Sequence, residues 1–311
     1  MKPINIIIVF CLAFIIVSPI LGGESLFNIL DYKAVDKEIF WQIRLPRSLL
    51  GFFVGASLGL AGAIFQTIFK NPLASPYTLG VSSAASFGAS LALLLGWQSG
   101  VMFSAVLFSV LASCILLTYR GNSNNLLLLG VASGLLFSSA SIFISYLCDP
   151  MQSYQLTRWL MGGLDLSTYS QILFLALALS FTFLFCYLKS AHLDLILTGQ
   201  DLAISRGLDV LNFKRKIVFI ISLLIGVVTS LAGPIGFVGI LVPHFCRVFG
   251  VVEHNRLTPT SAVLAGGLLV FCDYLARTLI YPAEIPVGVI TSLIGAPIFI
   301  FVLLRKNTTI A

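Results

Sequence analysis

Apolar runs long enough to cross a bilayer recur through nearly the whole of this chain, and that recurrence leaves few folds open. They occupy residues 4–21, 47–69, 76–96, 99–119, 126–147, 168–188, 214–233, 235–250, 259–281 and 286–304. At about 20 residues per crossing, a chain of 311 residues has room for roughly eight to eleven such spans. Only 10% of the residues are charged and the mean hydropathy is +1.04, whereas a soluble domain carries about 25% charge. The expected fold class is all-α: one polytopic membrane domain over residues 1–311 with ten transmembrane helices, some of them short or broken.

The stretch from Arg44 to Gln66 organises the rest. Two arginines around a proline, Arg44 and Arg47, form a collar at one end, and Gln66 closes the other. Gly51, Gly55 and Gly59 recur every four residues and so form one bare stripe on a helix. Lipid offers little hydrophobic force between helices, so close backbone approach and hydrogen bonds must hold a bundle together. The stripe predicts a helix enclosed by neighbours.

Short loops rich in Lys and Arg face the cytoplasm. With both ends inside, the inner side collects Lys2, Lys70, Arg120, Lys189, Arg206, Lys214, Arg215, Lys216, Arg247, Arg256, Arg305 and Lys306. The outer side keeps Lys33, Lys37, Arg44, Arg47, Arg158 and Arg277 together with most acids: Glu24, Asp31, Asp36, Glu38, Asp149, Asp165 and Glu284. This two-to-one bias accounts for the net charge of +6, and no basic patch interleaved with aromatics points to nucleic acid. The first run carries a lysine and an apolar core like a signal peptide, but it lacks a small-residue cleavage site and is expected to remain as the first helix.

Only Asp273 sits well inside an apolar run. An intramembrane carboxylate marks either function or a hydrogen bond to a neighbouring helix or broken backbone. Proline and glycine cluster at 71–76, 233–243 and 282–297. Such breaks are tolerated at membrane depth only where protein or a cavity covers them, so they predict kinked or short helices around an internal path. Residues 189–216 form the longest inner loop, with a short helix expected from Gln200 to Arg206 and stopped by Gly207. The polar outer loop 22–46 is the other long connection.

Catalytic chemistry is missing from the sequence. There is no GxxxxGK[ST], HExxH or GxSxG. His192, His244 and His254 stand alone, without metal-ligand spacing, and the six cysteines lie in or beside apolar runs as packing residues. No resident cofactor or metal is expected. An ion-coupled secondary transporter needs several buried ionisable groups, and Asp273 is a single one; a membrane-embedded enzyme has no visible nucleophile and base.

RLPR with its glycine helix (44–66), NPLASPYTLGVSSAASFGAS (71–90), WLMGGL (159–164), GQDLAISRGL (199–208), GPIGFVGILVPHFCR (233–247) and PAEIPVGVITSLIGAPIFIFVLLRK (282–306) resemble, in order, the permease subunit of ABC importers for iron-siderophores, haem and vitamin B12. The resemblance implies a bacterial inner-membrane importer subunit that pairs with a second permease, identical or paralogous. Two separate ATPase subunits drive it, and an extracytoplasmic binding protein delivers the cargo. It implies that Arg44, Arg47 and Arg277 meet carboxylates of that binding protein, snorkelling to headgroups being the alternative. It implies coupling to the ATPase through Gly199, Asp201, Ala203, Ser205, Arg206 and Gly207. Gln66, Ser133, Ser138, Ser139 and Ser141 are expected along the path, interhelical hydrogen bonding being the alternative for each serine. An inner gate is expected near Ser123 and Asn124. The NPLASPYTLG form favours a ferric siderophore as cargo.

Overall fold

A computed structural model describes residues 3–21, 37–119, 123–164, 168–280 and 283–307. The described residues are all-helical. In chain order the helices are α1 (Pro3–Val17), α2 (Leu45–Ile68), α3 (Val81–Leu94), α4 (Val101–Thr118), α5 (Ser123–Leu147), α6 (Pro150–Leu160), α7 (Tyr169–Leu188), α8 (Ser190–Thr198), α9 (Gln200–Ser205), α10 (Val210–Ala232), α11 (Val238–Val248), α12 (His254–Thr278) and α13 (Val287–Asn307). A short turn at Lys37–Ile39 and a π-turn at Phe40–Arg44 lead straight into α2. Among the described residues, six helical segments are long and apolar enough to cross a membrane: Phe40–Ile68, Gln98–Thr118, Asn125–Leu147, Tyr169–Leu188, Val210–Ala232 and His254–Thr278. Ile4–Val17, Val81–Leu94, Val238–Val248 and Val287–Phe301 are apolar but shorter. Each of the ten apolar runs thus holds a helix.

Helix α2 is the hub. Of its most apolar 18 residues 83% are buried, against 22% for α5, so α2 is central and α5 peripheral. Antiparallel α12 lies along α2 through the glycine stripe. A Cβ on Gly55 would stand 2.4 Å from the Ala265 carbonyl oxygen, and one on Gly59 2.4 Å from that of Ser261. One turn on, Gly62 meets α11, where a Cβ would stand 1.8 Å from the Gly239 carbonyl oxygen. Helices α1, α11 and α13 gather around α12, while α3, α4 and α5 form a second group joined to α2 through α10.

Two breaks shape the interior. After α2 the chain turns at Lys70 (φ 50°) and climbs back through 71–80, where Ala74, Ser75 and Leu79 are buried. Thr78 holds this segment by donating to the Leu73 carbonyl at 2.7 Å and pairing with Ser75. After α10, Gly233 (φ 67°) and Phe237 (φ 64°) turn the chain into α11. Both α3 and α11 therefore start within the bundle. The freed backbone is paired inside the protein: Gly163 N–H donates to the Ala232 carbonyl at 3.0 Å and Gly288 N–H to that of Gly162 at 3.3 Å. Helix α6 was not foreseen from the hydropathy. Pro150 and the Asp149 carboxylate, which accepts from Gln152 N–H at 2.8 Å, start it, and its mixed composition hides it from a search for apolar runs. The acidic positions Glu24, Asp31, Asp36 and Asp165 lie outside the described residues.

Candidate functional site

At the end of the bundle where α2 begins, Asp273 of α12 is fully buried between two arginines. Arg47 Nε donates to its Oδ1 at 2.8 Å, and Arg277 Nε, one turn along α12, lies 3.1 Å from Oδ2. Arg47 also donates through Nη1 to Glu284 at 2.7 Å. Glu284 is the exposed member, with 40% of its side chain accessible. The intramembrane carboxylate is thus a neutralised strut between α2, α12 and the segment before α13. The sequence named Asp273, Arg47 and Arg277 separately; only the antiparallel pairing of α2 with α12 brings them together. Arg47, expected at an open rim, is 5% exposed and already held by two carboxylates. Arg44 and Arg277 are half-buried beside it.

At the opposite end of α2, Pro243 lacks an N–H, so the Gly239 carbonyl four residues back has no helical donor. The Gln66 amide nitrogen faces it at 3.5 Å and lies 3.1 Å from the Ile240 carbonyl. The Gln66 oxygen accepts from Arg247 Nη1. Gln66 is 4% exposed, and its amide locks α2 to α11 across the Gly62–Gly239 contact. Gln66, expected along the path, is thus enclosed by α11 within this chain.

The loop expected at 189–216 holds α8 besides the short helix expected at 200–206, which is α9, and its last residues open α10. Helix α8 packs on α2 and α12, and α9 hangs from α8 and the start of α10. Gly207 (φ 81°) ends α9, with Gly207 N–H donating to the Ile204 carbonyl at 2.9 Å and Leu208 N–H to that of Ala203 at 3.0 Å. This is a Schellman cap, which glycine accommodates without Cβ strain. Ala203 is buried; Asp201, Ser205, Arg206 and the apolar Leu202 and Ile204 are exposed, and Gly199 is half-buried at the joint. Sequence reasoning missed Leu202 and Ile204, although both stand in the quoted motif. It also missed a polar chain from half-exposed Asp194 through buried His254 to buried Thr67, which no spacing in the sequence announces.

Helix α5 carries the predicted hydroxyls. Ser138 and Ser139 are exposed, Ser133 is half-buried and Ser141 is buried. Ser133 and Ser141 donate back to their own helix, to Gly130 and Phe137 at 2.9 Å each, while Ser138 donates to Ser83 of α3 at 3.3 Å. Only Ser138 and Ser139 lie on the open face. Tyr77, 48% exposed, stands where the two interior breaks meet, beside Gly236 and Ser292. Ser123 and Asn124 open α5, but their side chains lie outside the described residues.

The model of the FecCD transport family matches residues 5–305. Vitamin B12 import system permease proteins are similar along most of the chain. The protein of Klebsiella pneumoniae is 36% identical over 92% of this chain and 88% of its own. That of Escherichia coli O157:H7 is 35% identical over 92% and 90%. A solved structure described as the inward-facing conformation of a metal-chelate type ABC transporter superposes with a TM-score of 0.85 at 28% identity, covering 97% of this chain and 99% of the other. PsaBC from Streptococcus pneumoniae shares the fold at 17% identity, with a TM-score of 0.62.

Proposed function

Because the chain belongs to the FecCD transport family and is a permease subunit of an ABC importer rather than an enzyme, we propose that it forms, with a second permease, the path by which a metal chelate enters a bacterial cell across the inner membrane. Ten helices cross the bilayer: α1–α5, α7 and α10–α13. Both chain ends and α8–α9 are cytoplasmic, and the Arg47 cluster is outward. The alternation of helix directions and the excess of inner Lys and Arg support this orientation.

The observation that carries the reading is α9. A six-residue helix capped by Gly207 exposes Leu202 and Ile204 beside Arg206, in a chain that has no P-loop of its own. That is the surface on which a separate ATPase seats. Gly199, Asp201, Ala203, Ser205, Arg206 and Gly207 shape it. At the outer end, Arg44, Arg47 and Arg277 receive a binding protein, whose carboxylates take the place of exposed Glu284 beside Arg47. The path runs along Ser138, Ser139 and Tyr77, with Ser133 and Ser141 behind and an inner gate at Ser123 and Asn124. These groups offer water-like contacts and no tight binding set, which suits a cargo that must leave.

The relatives above support vitamin B12 as cargo. A ferric siderophore is the second reading, supported by the form of NPLASPYTLG (71–80). Joint substitution of Leu202→Asp and Ile204→Asp tests the docking surface. The wild-type chain is expected to retain its ATPase partner through size exclusion in detergent. The double variant should lose at least about tenfold in affinity, the scale of a desolvated interface anchor, with unchanged thermal stability because both side chains are exposed. Full retention of the partner by the variant would contradict the assignment.

A further inference from the structure

The inner end of the bundle holds a polar chain that the motifs above leave unexplained. His254 is the first residue of α12 and is fully buried. Its Nδ1 lies 2.5 Å from Asp194 Oδ1 on α8, and the same oxygen accepts the His254 backbone N–H at 3.1 Å. Helix α12 has no side-chain cap of its own, so α8 supplies one. On the other side of the ring, Nε2 lies 2.7 Å from Thr67 Oγ1, in the last turn of α2. A carboxylate only accepts, so Nδ1 carries a proton. The single Thr67 hydroxyl proton faces both Nε2 and the Ala63 carbonyl, 3.0 Å away. The ring therefore bridges the two partners in either protonation state.

The position of this bridge gives it a task. Helix α9 is separated from α8 by the single residue Gly199. Its other route into the bundle passes Gly207, a left-handed joint with open space around its Cα. Leu193 and Ile196 bury α8 against its neighbours, but apolar contact is non-directional and leaves sliding along a helix axis open. Short hydrogen bonds fix the axial register.

We propose that the Asp194–His254–Thr67 chain is the strut that carries displacement of α9 into the bundle, locking α8 to the inner ends of α2 and α12 so that the three move as one body. The inference rests on the reading of α9 as the ATPase-docking helix. His254 is a positioning residue in this account, since it touches no cargo.

The test uses the complete complex of permease and ATPase subunits, with one permease copy spin-labelled at exposed Ala191 on α8 and exposed Lys70 just past α2. The distance between the labels is measured with ADP and with a non-hydrolysable ATP analogue. The strut requires the same distance in both states for the wild-type chain. In Thr67→Val, which deletes the hydroxyl at nearly constant volume, the distance is expected to shift when the analogue binds, and Thr67→Ser is expected to restore invariance. His254→Gln, which reaches Thr67 but not Asp194, is expected to behave like Thr67→Val and serves if that variant fails to assemble. A nucleotide-dependent distance in the wild type, or an invariant one in the variants, overturns the strut. If no ATPase binds the wild-type chain at all, the proposed function itself fails, which is a separate outcome.

Discussion

An Asp273→Asn protein is expected to unfold about 3–5 kcal/mol more easily than the wild type, the scale for removing one partner of a buried ion pair. The substitution keeps the shape of the side chain and removes its charge. Arg47 and Arg277 then face each other across a buried site, with the half-exposed Glu284 still bonded to Arg47. The loss is expected to be non-additive. Arg47→Gln combined with Asp273→Asn should cost clearly less than the sum of the two single changes, because the double variant no longer strands that charge. Thermal unfolding in detergent, followed by size exclusion, measures all three. An Asp273→Asn protein as stable as the wild type would show that Asp273 is not the counter-charge of the cluster.

Gly62→Val is expected to prevent assembly of the bundle. The added Cβ would stand 1.8 Å from the Gly239 carbonyl oxygen, well inside contact distance, and it strikes backbone rather than a side chain that can rotate. Overpacking a core costs about 1–3 kcal/mol even where side chains can shift. Here α2 and α11 must separate, and that separation also pulls Gln66 from the Gly239 and Ile240 carbonyls. Gly62→Ala should retain part of the folded yield and Gly62→Val essentially none, as read from fluorescence-detected size exclusion. A wild-type yield for Gly62→Val would mean that α11 does not approach α2 this closely.

These two sites differ in how legible they were. The glycine stripe was visible as a four-residue period, and the packing of α12 on Gly55 and Gly59 follows from it. The partner helix was not visible, because nothing in the sequence says which of nine other runs comes to lie on α2. Gln66 shows the same limit. A lone polar residue at the end of an apolar run suits a path as well as a helix lock, and its role is set by Pro243, which removes a donor far along the chain. Asp273 was conspicuous by hydropathy, yet its partners were conspicuous for another reason, as a charged collar. The breaks at 71–76 and 233–243 announced themselves through proline and glycine. His254 carried no signal, since a single histidine before an apolar run has no periodicity to expose it. Helix α9 was readable from its glycine stop, while its exposed Leu202 and Ile204 became notable only once Ala203 was seen to point inward.

The account stands most directly on transport by purified components. The chain is reconstituted in vesicles with and without its ATPase subunits, and uptake of labelled cobalamin and of labelled ferric siderophore is followed in the presence of ATP and the binding protein. Accumulation of one chelate is expected only when the ATPase subunits and hydrolysable ATP are both present. Uphill accumulation by the chain alone, driven by an ion gradient without nucleotide, would contradict it.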